Sequence, residues 1–145
     1  MRRDIPAVRI WPMSDKLEGF RGLSIQDVQN GLFLRVLPKC NGRYRYPSAG
    51  LNTGPGTIVL FQYRARIIAS AAFLRDEKYD PPRRGYGGAI YVDVASIRTF
   101  DPIDVEAMRK AWPSFRAFGH VKQYLNPARY PVFKRRLKNV ASPVA

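Results

Sequence analysis

Two neighbouring runs in the middle of the chain constrain its architecture more than any other feature. Thr57-Ile58-Val59-Leu60-Phe61-Gln62-Tyr63 is rich in β-branched and aromatic residues, and Gly54-Pro55-Gly56 in front of it gives a clean strand start. Arg66-Ile67-Ile68-Ala69-Ser70-Ala71-Ala72-Phe73 is placed to return beside it. The two residues between them, Arg64-Ala65, do not favour the positive φ that a two-residue hairpin turn demands. Gly88-Ala89-Ile90-Tyr91-Val92-Asp93-Val94 reads as a further strand, and the alternation of Val8-Arg9-Ile10-Trp11 predicts an early, half-buried one. The charged stretch between them, Arg75 to Gly88, is rich in Pro and Gly, the composition of a mobile loop.

Helix signals are fewer. Ser24-Ile25-Gln26-Asp27 resembles a capped start, with Ser24 accepting an orphan amide hydrogen bond and Asp27 favoured by the helix dipole; Gly31 sets an early stop. Asp101 as cap, Pro102 at the first helical position and Val105, Met108 and Trp112 at helical spacing predict a second helix that ends at Pro113. Trp112 completes its apolar stripe and belongs to the core. Asn126-Pro127 looks like another start, and Pro131 forbids a long helix there, although Phe133 and Leu137 lie four apart over Lys134, Arg135, Arg136 and Lys138. The sum is α+β: a small, curved, mixed or antiparallel sheet with peripheral short helices, in a single domain over residues 1–145.

Charge narrows the function. The formal net charge is +14, from 25 Lys and Arg against 11 Asp and Glu, on a chain whose 46% hydrophobic content is enough for a core. A disordered basic tail lacks such apolar content. The excess therefore sits on a folded surface, where its summed potential attracts polyanions, with nucleic acid first among them. The bland reading is a basic protein without a specific target. Cys40 is the only cysteine, so neither an internal disulfide nor a thiolate-rich zinc site can form, which fits a reducing cytoplasm. Met1 to Pro12 is basic without the apolar stretch of a signal peptide, and no run of about eighteen apolar residues suggests a membrane span.

Catalytic constellations are sparse. His120 is the sole histidine, so a cage of several imidazoles is impossible and a Ser-His-Asp arrangement would have to pass through this residue. Asp76, Glu77 and Asp80 fall in the basic loop, while Asp101, Asp104 and Glu106 cluster at a helix start, positions suited to solvation and capping. The sequence has no Walker-type phosphate loop and no dinucleotide fingerprint, and Gly85-Tyr86-Gly87-Gly88 reads as a flexible connection. We expect no cofactor, no metal and no enzymatic activity in the chain itself.

Binding chemistry is richer. Gly42-Arg43-Tyr44-Arg45-Tyr46-Pro47 interleaves two cations with two aromatics, and on an extended segment Tyr44 and Tyr46 share one face while Arg43 and Arg45 share the other. The pattern suits base stacking joined to phosphate attraction, and equally a strand with core tyrosines and solvated arginines. Arg83-Arg84 and Lys134-Arg135-Arg136 are further candidates for phosphate contacts.

Ile10-Trp11-Pro12-Met13-Ser14 and Leu23-Ser24-Ile25-Gln26-Asp27-Val28 resemble the opening of an EVE domain, where a Tyr-Trp strand precedes a Ser-Ile-Asp-Asp-Leu-like helix start. Tyr46 to Asn52 stands where that family has a Trp-centred segment ending in Arg-Asn. Gly56-Thr57-Ile58-Val59-Leu60-Phe61 is similar to its Gly-Asp-x-Val-Leu-Phe strand, Ile67 to Ala71 to its return strand, and Phe118 to Leu125 to its terminal segment. Tyr46 replaces the family's Trp, Leu51 its Arg and Thr57 its common Asp.

The resemblance implies a PUA-like curved β-barrel related to YTH domains, holding a modified nucleobase in an aromatic-lined pocket. It further implies a specificity module of a restriction or defence system, with any nuclease on another domain or chain. The expected pocket comprises Trp11, Tyr44, Tyr46 and Phe118 for stacking, with Ser14, Asn52 and His120 for reading the base edge. Arg43, Arg45, Arg83, Arg84, Lys122 and Arg129 are the expected phosphate contacts. The expected partner is DNA carrying 5-methyl- or 5-hydroxymethylcytosine, flipped out of its stack. RNA with a modified nucleotide is the alternative, and a small hydrolase centred on His120 the alternative from another class.

Overall fold

A computed structural model describes residues 5–16 and 18–143; the first four residues of the basic opening stretch lie outside them. The elements in chain order are β1 (Val8–Pro12), α1 (Ile25–Val28), α2 (Leu37–Lys39), β2 (Arg43–Tyr46), β3 (Ile58–Tyr63), β4 (Arg66–Arg83), β5 (Tyr86–Val92), β6 (Arg98–Ile103), α3 (Val105–Ala111), β7 (Tyr124–Leu125) and α4 (Tyr130–Arg135). The seven strands form one mixed sheet in the order β2-β5-β4-β3-β1-β7, with β6 also paired to β4. β1 runs parallel to β3, and the other pairings are antiparallel. The sheet is not closed on itself. The architecture is α+β, with a few short helices.

Strand parity divides the interior in two. Val8, Ile10, Leu60 and Ile67 enter one core, where Met108, Ala111 and Trp112 from the α3 region and Phe133 from α4 cover them. Trp11, Val59, Phe61, Tyr63 and Ile68 enter the other, covered by Val28, Phe33 and Leu37. A period of two along each strand sends neighbouring side chains to opposite faces, so both faces of the central strands are apolar and both carry helices.

Three local expectations are corrected. The chain does not leave the helix at Gly31: α1 continues through a π-helical stretch (Gln29–Val36) into α2, and burial of Val28, Phe33 and Leu37 outweighs the roughly 1 kcal/mol that glycine costs a helix. The wider turn is seen where the Leu37 N–H donates to the Leu32 carbonyl five residues back. Ser24 does cap the start, in a capping box with Asp27. Asp101 and Pro102 lie in β6, and the cap of α3 is Asp104, whose carboxylate accepts from the Ala107 N–H at 2.9 Å. The stretch Arg75 to Gly88 is a long hairpin, in which β4 and β5 pair from Phe73–Val92 to Arg83–Tyr86, with Tyr79 to Pro82 bulged out. Gly87 and Gly88 belong to β5, where a Cβ on Gly88 would strike the Tyr46 hydroxyl and the Glu77 carbonyl.

The expected return of β4 beside β3 is borne out, through a two-residue hairpin whose residues do not favour the turn. Arg64 (φ +52°) and Ala65 (φ +57°) both take the left-handed conformation, so the strand pairing on either side overrides their preference. That conformation costs a non-glycine residue about 1–2 kcal/mol. Ala65→Gly therefore stabilises the protein by roughly 0.5–1 kcal/mol, after allowance for glycine's greater unfolded-state entropy. Denaturant unfolding measures this as a higher midpoint with an unchanged slope.

Candidate functional site

A cavity of about 560 Å³ opens between the end of β1, the helix running from Ser24 to Lys39, and β2. Parity along β2 puts Tyr44 and Tyr46 inward and Arg43 and Arg45 outward. Trp11, on β1, meets both tyrosines, edge-on to Tyr44 at 5.6 Å between ring centroids and tilted to Tyr46 at 6.1 Å. All three rings are more than nine-tenths buried. They form the cavity's floor and cannot separate to sandwich a flat ligand. Phe20 and Tyr86, both half-buried, also line the cavity. Phe20 is held by the Tyr63 hydroxyl, which donates to the carbonyls of Phe20 and Leu23 at 3.1 and 2.8 Å.

Tyr46 is fixed further by its hydroxyl, which donates to the Asp76 carboxylate at 2.6 Å. The other Asp76 oxygen accepts from the Leu51 N–H at 3.0 Å. One carboxylate on β4 thus pins both β2 and the 47–51 segment that continues the cavity wall. Burial pushes the Tyr46 phenol above its ordinary range, and the acceptor Asp76 adds to the shift. Burial does the same to Tyr44, partly offset by the Trp11 indole, and to Tyr130 in the other core.

The rim is cationic. Arg43, Arg45, Arg84 and Lys122 line the cavity, and among the described side chains no carboxylate does. The described residues form two ion pairs, Arg64 with Asp15 at 3.8 Å and Arg109 with Glu106 at 3.1 Å, neither involving the rim. Two of its cations lie on aromatic faces instead: Lys122 Nζ is 5.2 Å from the Trp11 ring centroid, and the Arg45 guanidinium is 4.4 Å from that of Tyr86. Arg84 reaches the rim because the tight β4–β5 turn places it, with Gly85, at positive φ. Ser14 is the one sequence-predicted polar reader at the cavity.

The structure thus brings together Trp11, Ser14, Tyr44, Tyr46, Arg43, Arg45, Arg84 and Lys122, and leaves five expected residues out. Phe118 packs in the other core, 5.1 Å from Phe115. Asn52 is exposed, and its carbonyl accepts from Arg9 Nη1 at 3.3 Å. His120 is exposed and does not line the cavity. Arg83 lies over Tyr79, 4.7 Å from its centroid. Arg129 donates from Nε to the Ala111 carbonyl at 2.8 Å, tying the end of α3 to the turn before α4. The cavity adds Phe20, Tyr86 and Cys40, which the sequence did not single out. Among the described residues, no three His, Cys, Asp or Glu side chains are grouped to share a metal ion, and no helix is long and apolar enough to cross a membrane.

Compared with known proteins, the chain matches no family model, no curated protein and no solved structure.

The raised tyrosines make a stability prediction. Above about pH 10 the unfolded phenols ionise while Tyr44 and Tyr46 keep their protons in the folded state, so the unfolded state binds fewer protons and stability falls as pH rises. Tyr46→Phe removes one such group. Urea unfolding across pH 9–11 then shows a shallower alkaline decline for the variant, together with a loss of about 1 kcal/mol at neutral pH from the missing hydrogen bond to Asp76.

Proposed function

We infer that the protein is a nucleic-acid-binding module that takes a single base, turned out of its stack, into the cavity floored by Trp11, Tyr44 and Tyr46. The observation that carries this reading is the pairing of an apolar, aromatic cavity with four rim cations and no carboxylate among the described lining residues. Phosphates satisfy such a rim and a base fills such a floor. Cations resting on aromatic faces are free of acidic partners, so engaging a phosphate breaks no ion pair. Extruding a base costs a few kcal/mol, which stacking against Phe20 and Tyr86 and one or two edge hydrogen bonds offset. Ser14 supplies one such hydroxyl.

The EVE-like order of motifs extends the proposal to a PUA-like curved sheet and to DNA carrying 5-methyl- or 5-hydroxymethylcytosine. In that reading the protein is the specificity module of a restriction or defence system, with cleavage on another domain or chain. Leu51, which stands for the family's Arg, is buried in the core, so edge recognition falls to Ser14 and backbone groups of the 47–49 segment.

Binding at fixed, near-physiological salt to matched duplexes carrying cytosine, 5-methylcytosine or 5-hydroxymethylcytosine, with the matching RNA as competitor, tests the proposal. The expected result is a preference of about tenfold or more for one modified duplex, the scale of one buried polar contact. Lys122→Ala and Arg45→Ala weaken binding to all duplexes and each lower the salt dependence by about one counterion. Equal binding to all duplexes overturns base reading, and tighter binding to RNA moves the ligand to modified RNA.

A further inference from the structure

Arg9 lies on β1 two residues before Trp11, on the same face of the strand, and it is 94% buried without an acidic partner among the described residues. Its Nη2 donates to the Lys122 carbonyl at 2.9 Å and its Nη1 to the Asn52 carbonyl, while Nε has no partner among the described residues. A buried cation of this kind is costly, and neutral carbonyls offset only part of the cost. Over it lies Tyr124, with the guanidinium carbon 3.7 Å from the ring centroid. The contact follows from strand register, since β7 pairs antiparallel with β1 and sets Tyr124 opposite Arg9. The next rung continues through the Ile10 N–H bond to the Gln123 carbonyl and brings Lys122 over Trp11. Two cation–aromatic pairs of opposite sense therefore stand side by side, Arg9 with Tyr124 and Trp11 with Lys122, roughly 7 Å apart along the strands.

The outer pair differs from the inner one in exposure. Tyr124 is 72% exposed although one face rests on Arg9, so its other face is open to solvent. It also walls a second, smaller cavity of about 300 Å³ with Arg116, Gln123 and Asn126. A large aromatic ring resting on a buried cation, next to a basic-rimmed cavity, has the chemistry of a stacking platform for a nucleotide.

Resting on the reading of the main cavity as a base pocket, we propose that Tyr124, backed by Arg9, stacks the base adjoining the one in the cavity, so that the protein grips two successive nucleotides of one strand. The inner base enters beside Trp11. The outer base lies on the open face of Tyr124, and the phosphate between them faces Lys122 and the positive potential of Arg9.

The test uses a short single-stranded DNA carrying one 5-methylcytosine, and the same strand made abasic on either side of that nucleotide. Tyr124→Ala weakens binding of the intact strand about tenfold, the scale of one lost stacking contact, and Tyr124→Trp restores it. On the strand abasic at the adjoining position, wild type and Tyr124→Ala bind alike. A Tyr124→Ala variant that binds the intact strand as well as wild type does, or that loses as much on the abasic strand, overturns the platform and leaves Tyr124 as a shield over Arg9. Loss with Arg45→Ala but none with Tyr124→Ala overturns the platform alone, whereas indifference to both overturns the base pocket as well.

Discussion

The hydrogen bond from Tyr46 to Asp76 is the constraint on which the site depends. β2 is the last strand at its end of the sheet and is paired on one side through β5. Left to backbone pairing, its side chains could turn with the sheet's twist. Asp76 prevents this by taking the Tyr46 hydroxyl and the Leu51 amide together. Gly88 leaves room for the phenol and Gly50 leaves room for the carboxylate, since a Cβ at either position would strike those groups. With Tyr46 fixed, Trp11 and Tyr44 pack against it and Phe61, and the cavity acquires a rigid floor. Rigidity lets such a surface bind without first paying to order its own side chains.

The second organising fact is how the chain houses its surplus charge. With a formal net charge of +14 there are too few acids to pair with the bases. Arginines lie instead on tyrosines: Arg9 on Tyr124, Arg45 on Tyr86, Arg75 on Tyr91 and Arg83 on Tyr79. At exposed sites such contacts are worth about 0.5–1 kcal/mol each. That holds a guanidinium in place and yet releases it readily to a phosphate, where counterion release drives association. The exposed arginines stay available, while Arg9, buried and anchored on carbonyls, stays where it is.

The legible part of the fold is the part set by local chemistry. β-Branched runs and alternation located β1, β3, the start of β4 and most of β5; the Ser24–Asp27 pair located a helix start; and helical spacing put Trp112 in the core. Tertiary pairing decided the rest. Arg64-Ala65 turns against its preference because strands on both sides pair. The helix runs through Gly31 because the sheet needs covering, and Arg75 to Gly88 forms strands because β5 is held by β2 as well as by β4. In the site, the alternation of Arg43 to Tyr46 was readable as two opposite faces, and the structure settles which is inward: tyrosines in, arginines out. Phe20 and Tyr86 were not, since one lies in an irregular connection and the other in a segment whose glycines read as linker. Phe118 and His120 lie in a stretch without periodicity, where sequence gives no sign of the face a residue takes.

The central claim is that bound nucleic acid places a base in the Trp11–Tyr46 cavity, and Cys40 tests it most directly. It is the chain's sole cysteine and lines that cavity, half-buried. Its alkylation rate, followed by intact mass with and without a saturating oligonucleotide, reads occupancy of the cavity alone. The account predicts that alkylation slows as binding saturates, with the same midpoint as binding itself. An unchanged rate on a fully bound protein would contradict it, because the nucleic acid would then be held elsewhere on the basic surface.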